Sequence, residues 1–210
     1  TNTSGQVDSD EQGAPTHELS AAELYERGLE LREQDTPDSY RLGVAYFYNQ
    51  EYEMAIDQFE RVLDLDPEYG LAHLLRARAY TLSGQNDEAE KSFREAPAHL
   101  GWNFFTSAEA GYLYAKSGQT NGAYRIIQDL KPQVKNGESV AYDIAVVYAG
   151  LGEGENVLTW LENALEDGSI ALDIKVDPRF EFVRMHPRFE TLLEAMNLTD
   201  SQINNPSEDS

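Results

Sequence analysis

Apolar residues recur along this chain at the three- and four-residue spacing of helices, and the helical stretches fall into a longer rhythm. The fragments Leu42-Gly43...Tyr46, Ala77...Tyr80, Gly111...Tyr114 and Ala145...Tyr148 place a tyrosine every 34 residues. Steps of 34 divide the middle into 36–69, 70–103, 104–137 and 138–171 without insertion or deletion. Small residues (Gly43, Ala77, Gly111, Ala145) precede each tyrosine by three, and Ala55, Ala89, Ala123 and Val157 follow it by nine. Large apolar residues come next at Phe59, Phe93, Ile127 and Leu161, then Val62, Ala96, Leu130 and Ala164. Turn signals at Gln50, Gly84, Gly118 and Gly152 split each unit into two helical segments, so each unit is predicted to be a helix–turn–helix. Small residues let paired helices approach closely, and the aromatic ones fill the space between successive hairpins.

These columns resemble the tetratricopeptide repeat, whose pattern of small residue, Tyr, Gly, Ala, aromatic, Ala and Pro is matched by Leu42 to Pro67, LGVAYFYNQEYEMAIDQFERVLDLDP. The resemblance covers 36–171 in four repeats. It departs from the family at Gln50, where a turn Gly is usual, and at the closing Pro, displaced or absent after Pro67. It implies an all-α, right-handed solenoid. Backward extension puts Ala21, Tyr25 and Gly28 on second-helix columns, predicting a lone helix over 18–34 that covers the first hairpin. Thr36-Pro37 then supplies a capping residue and a proline at the first helical position. After 171 come two related units, Asp177 to Phe180 and His186 to Phe189, in which a capping residue again precedes Pro. They resemble the closing segment of bacterial and archaeal tetratricopeptide proteins. A helical cap over 172–198 is expected, because a terminal hairpin otherwise exposes an apolar face. Residues 1–15 and 199–210, rich in Ser, Asn and acids with no apolar period, read as solvated tails.

In the resembled family the first helix of each repeat lines a concave groove. The equivalent positions give a candidate peptide-binding surface of Tyr40, Val44, Phe47, Tyr48, Leu74, Arg78, Phe105, Tyr112, Lys116, Tyr142 and Val146. Twenty positions of this kind contain no acid, six aromatics and two cations, although acids make up 38 of the 210 residues. Such a surface suits a protein or peptide partner with apolar or aromatic side chains. Burial between hairpins would exclude acids as well. The Lys/Arg/Asn set with which cochaperones of this family hold a terminal carboxylate is missing, since Tyr40, Val44, Leu74 and Ala108 stand there.

Charge narrows the partner further. The 16 Lys and Arg face 38 Asp and Glu, a formal charge of -22 that repels nucleic-acid backbones and anionic membranes. Each tail carries three acids and no base, which leaves -16 on 16–198. Low Lys use, five against eleven Arg, resembles the surfaces of salt-adapted organisms, and an acidic face toward a cationic protein partner would give similar totals. The melting temperature is expected to rise from low salt to about 1 M NaCl, where the screening length shrinks to about 3 Å. A flat or falling curve would show that self-repulsion is unimportant.

No cysteine is present, and His17, His73, His99 and His186 are too scattered for a zinc motif, so no metal or cofactor is expected. No apolar run approaches the length that spans a bilayer, and no signal-peptide plan is visible. The uncharged leader TNTSGQ leaves a cytoplasmic and an extracytoplasmic, lipoprotein-derived setting equally open. Gly150-Leu-Gly152-Glu-Gly154 imitates a phosphate loop but lacks a preceding strand and falls in the turn column. Asp177, Arg179, His186 and Arg188 could be imagined as an acid–base cluster, yet helix starts account for them. Trp102 and Trp160 are expected at hairpin junctions. The expectation is a non-catalytic interaction scaffold. Alternatives are a self-assembling structural subunit and an accessory or sensor domain of a larger system.

Overall fold

The computed structural model describes residues 38–198; the helix expected over 18–34, the Thr36-Pro37 start and both tails lie outside them. Helix α1 covers 38–48 of the described residues. It is followed by α2 (Tyr52–Leu65), α3 (Gly70–Leu82), α4 (Asn86–Leu100), α5 (Phe104–Lys116), α6 (Thr120–Lys135), α7 (Ala141–Leu151) and α8 (Gly154–Asp167). Two 3₁₀ segments, Leu172–Lys175 and Pro178–Val183, lead to α9 (Pro187–Ala195). The architecture is an all-α solenoid of four helical hairpins closed by a short helical segment.

One backbone device repeats with the sequence. The amides of Glu51, Gln85, Gln119 and Glu153 donate to the carbonyls of Tyr46, Tyr80, Tyr114 and Tyr148, and the residue before each amide adopts a left-handed conformation. This is the wrapped helix end in which an amide beyond the terminus satisfies a carbonyl in the last turn. At Gly84, Gly118 and Gly152 it costs no strain, whereas Gln50 reaches φ 62° with a side chain attached. The missing glycine therefore leaves the turn unchanged.

The expected core columns are buried throughout: Ala55, Ala89, Ala123 and Val157, then Phe59, Phe93, Ile127 and Leu161, then Val62, Ala96, Leu130 and Ala164. The tyrosine column is mixed. Tyr148 is buried and its hydroxyl accepts from Lys131 at 2.9 Å, but Tyr46, Tyr80 and Tyr114 keep part of their surface. Truncating those three should cost less than the loss of a wholly buried aromatic.

Glycine sets the distance between α5 and α7. A Cβ built on Gly150 would lie 2.9 Å from the Ala115 Cβ and 3.0 Å from the Tyr112 carbonyl oxygen. Since the carbonyl belongs to backbone, Gly150→Ala should lose about 1 kcal/mol net, despite a helix-propensity gain of similar size. A urea midpoint at or above that of the parent chain would show that the helices can separate without penalty. Gly152 caps α7 and Gly154 opens α8, so the glycine triplet serves helix packing and a turn.

The core is not continuous. One apolar cluster joins α1, α2 and α3, a small one joins α3, α4 and α5, and the largest runs from α5 to α9. In the last, Phe180, Val183, Phe189, Leu192 and Leu193 cover the faces of α7 and α8, which is what a terminal cap has to do. Asp177 and His186 each accept a hydrogen bond from the amide two residues on, at 2.9 and 3.2 Å, as expected of helix-start caps.

Candidate functional site

Helices α1, α3, α5 and α7 are the first helices of the four hairpins and carry the residues expected to line a groove. Of the residues expected there, Phe47, Leu74 and Val146 are each 1% exposed, and Tyr112 is buried as well. These four pack in the core and offer no side chain to a ligand. Tyr40 is half-buried, its ring 5.3 Å from Tyr69, and Val44 packs against the first cluster. Tyr48, Arg78 and Tyr142 are partly buried, while Phe105 and Lys116 are exposed. Arg78 lies over the Phe105 ring at 5.6 Å. The structure thus gathers Tyr48, Arg78, Phe105, Tyr112 and Tyr142, with Tyr40 near enough for the Arg78 charge to act on its hydroxyl.

A buried ionic cluster absent from the sequence reading occupies the centre. Glu109, on the concave side of α5, is 4% exposed. Its carboxylate accepts from Arg78 Nε at 2.7 Å and from Arg179 Nη1 at 2.9 Å. Arg179, itself buried, also donates Nη2 to Asp177 at 2.6 Å and stands 5.8 Å from the Tyr112 ring centroid. Two guanidinium groups against two carboxylates make the cluster neutral, the condition under which buried charges are tolerated. Burial alone would raise the Glu109 and Asp177 pKa values, but the guanidinium groups more than offset it and hold both below the usual carboxylate range. Glu109 is the lone acid of α5, flanked in the chain by Ala108 and Ala110, and that isolation is the one visible signal of a buried acid.

Asp143 on α7 faces the same cluster without an ion-pair partner among the described residues. Burial, then the Glu109 charge, pushes its pKa up to about 7, against a partial opposing effect of Arg179. The adjacent Tyr142 hydroxyl is buried with no hydrogen-bond partner among the described residues. Arg188 and His186 lie elsewhere: Arg188 pairs with Glu162 at 2.6 Å and with Glu155 at 3.0 Å on the outer side. The imagined acid–base cluster is therefore two separate structures, one in the core and one at the surface.

The segment that carries Arg179 does more than cover α7 and α8. Tyr48 donates its hydroxyl to the Asp173 carboxylate, and Gln50 Nε2 donates to Glu181 at 2.9 Å. The Phe180 ring meets Tyr142 edge-on at 5.9 Å. Residues 172–183 thus cross the concave side from the fourth hairpin to the first.

A second concavity, about 420 Å³, lies between α4 and α5 on the other side of Phe93 and Leu113, rimmed by Glu90 and Arg94. Trp102 borders it at the junction of the second and third hairpins, edge-on to Phe93 at 6.2 Å and 68% exposed; Trp160 is partly buried and packs against the largest cluster. No group of three or more His, Cys, Asp or Glu among the described residues is placed to hold a metal ion. No described helix is long and apolar enough to cross a membrane.

Residues 40–100 match the family model described as Tetratricopeptide repeat. The BBSome complex member BBS4 of Bos taurus is 24% identical over 140 residues, covering 67% of this chain and 25% of that protein. The chain thus spans about a quarter of that relative. Among solved structures, MamA protein aligns with TM-score 0.43 and 16% identity over 81% of this chain and 87% of its own. PilW, a type IV pilus biogenesis factor, aligns with TM-score 0.35 and 16% identity over 80% and 96%.

Proposed function

We propose that the chain is a non-catalytic scaffold that holds a peptide or helix of a protein partner on its concave side. The observation that carries this reading is the set of first-helix positions itself: Tyr40, Tyr48, Phe105 and Lys116 are partly or wholly exposed among twenty such positions that include no acid, on a molecule of charge -22. Aromatic and cationic side chains in such a setting are the usual anchors of an interface. The relative named as a member of the BBSome complex is consistent with a repeat unit that works by association.

The test is a peptide-display selection against the immobilised chain, followed by titration of the selected peptides. Phe105→Ser and Lys116→Glu should each leave the melting temperature nearly unchanged, since exposed substitutions stay within about 0.5 kcal/mol. Phe105→Ser should weaken binding by about 2 kcal/mol or more if it is an anchor. Peptides that bind both variants as tightly as the parent chain would place the interface elsewhere.

A self-assembling subunit is the second reading. It is favoured by the apolar residues left exposed near the C-terminal end, Leu172, Val176, Phe182 and Met185, the last 95% exposed. Sedimentation over a hundredfold concentration range separates the two, because only self-assembly makes the mass depend on concentration.

A further inference from the structure

Resting on the proposed partner-binding role, we propose that residues 172–183 are an internal ligand of the concave side, and that the partner segment able to replace them carries an arginine flanked by an acid and an aromatic residue. The chain's own occupant defines the chemistry. Asp177 caps and orients Arg179; the guanidinium reaches Glu109 and lies against Tyr112; Phe180 meets Tyr142. An incoming arginine would find the same carboxylate and the same ring faces, which a lysine cannot satisfy with one planar fork.

Ile174, Phe180 and Val183 of the segment belong to the largest apolar cluster, so its release must open that cluster; two features favour release. Its hold on the first hairpin consists of two side-chain bonds, Tyr48 to Asp173 and Gln50 to Glu181, the second of them exposed. Its fit on the fourth hairpin leaves the Tyr142 hydroxyl buried and unbonded, a polar group that a different ligand could satisfy. Leu172, Val176 and Phe182 of the segment are exposed, whereas Ile174, Asp177, Arg179, Phe180 and Val183 are buried. Binding from outside then carries the cost of a competent state that is only partly populated, and loosening the segment removes that cost.

The chain lacks cysteine, so paired labels can be placed at will. Met54→Cys and Met185→Cys on the full chain would carry a fluorescent pair that reports the distance between the first hairpin and the closing segment. Tyr48→Phe with Gln50→Gly deletes both bonds to the first hairpin while keeping the ring and the left-handed turn. The probe is a synthetic copy of residues 171–184, beside the same peptide carrying Arg179→Ala.

The double variant should show a larger open fraction and bind the parent peptide about tenfold more tightly than the unaltered chain, and the alanine peptide should bind neither. A label distance that neither the double variant nor the peptide changes would make the segment a fixed part of the fold and overturn the proposal. Equal binding of the two peptides would overturn the arginine requirement. Display-selected peptides that bind the unaltered chain through Phe105 without moving the labels would leave the groove reading standing and remove this one.

Discussion

Glu109→Ala should be among the most damaging single substitutions in the chain, costing about 3 to 5 kcal/mol in urea unfolding. Truncation also leaves a cavity, but the larger part of the expected loss comes from charge. Without it Arg78 loses its carboxylate partner, and Arg179 keeps only Asp177 while remaining buried. Arg179 cannot escape by deprotonation, because its pKa is held above even the ordinary arginine value despite burial. Glu109→Gln should recover little, since an amide accepts one guanidinium less well and carries no charge. Pairing Glu109→Ala with Arg78→Met should recover part of the loss by deleting one of the stranded cations. A cost below about 1 kcal/mol for Glu109→Ala would mean that both guanidinium groups find water, and the cluster would be peripheral rather than central.

Asp143→Asn should change the pH dependence of stability in the opposite direction to an ordinary surface carboxylate. The folded-state pKa is raised to about 7 from 3.8, so the native chain binds more protons than the unfolded one between those values. Stability is then full below about pH 4 and falls as the pH rises to about 7. The integrated penalty at pH 8 is at most about 4 kcal/mol, at about 1.4 kcal/mol per pKa unit. The asparagine variant should match the parent near pH 4 and exceed it at pH 8. Glu109 and Asp177 act with the other sign: their lowered pKa values give stability that disappears as the pH falls below the usual carboxylate range. The acid limb should therefore survive in Asp143→Asn while the limb between pH 4 and 7 flattens. Parallel curves for the two chains would show that Asp143 stays solvated.

The two variants also mark where sequence reading stops. Ala55, Phe59, Val62 and their counterparts announced their burial because a repeated hairpin imposes one environment at each column, and a 34-residue period displays it four times. Gln50 took the turn conformation because backbone bonding, shared with three glycines, decides it. The concave side has no such redundancy. Whether Phe47 or Phe105 faces solvent depends on how each hairpin packs on its neighbours, which no single repeat encodes. Asp177 was legible as a cap because capping is local, while its pairing through Arg179 with Glu109 is not local at all. Trp102 stands at the expected junction of the second and third hairpins, edge-on to Phe93, but the core thins there and leaves most of the ring exposed.

A solenoid of hairpins is normally a one-dimensional object, each unit knowing only its neighbours, so that its ends fray while its middle holds. The bonds from Tyr48 to Asp173 and from Gln50 to Glu181 join positions 125 and 131 apart in the chain and turn the row of hairpins into a ring. Closing so long a loop adds an entropic cost that grows slowly with length, which delays the last step of folding. While the bonds hold, opening of the first hairpin and of the closing segment are coupled. Amide exchange in α1 and α8 should then proceed at similar rates, both slower than in an open array, and the melting curve should sharpen into a single transition.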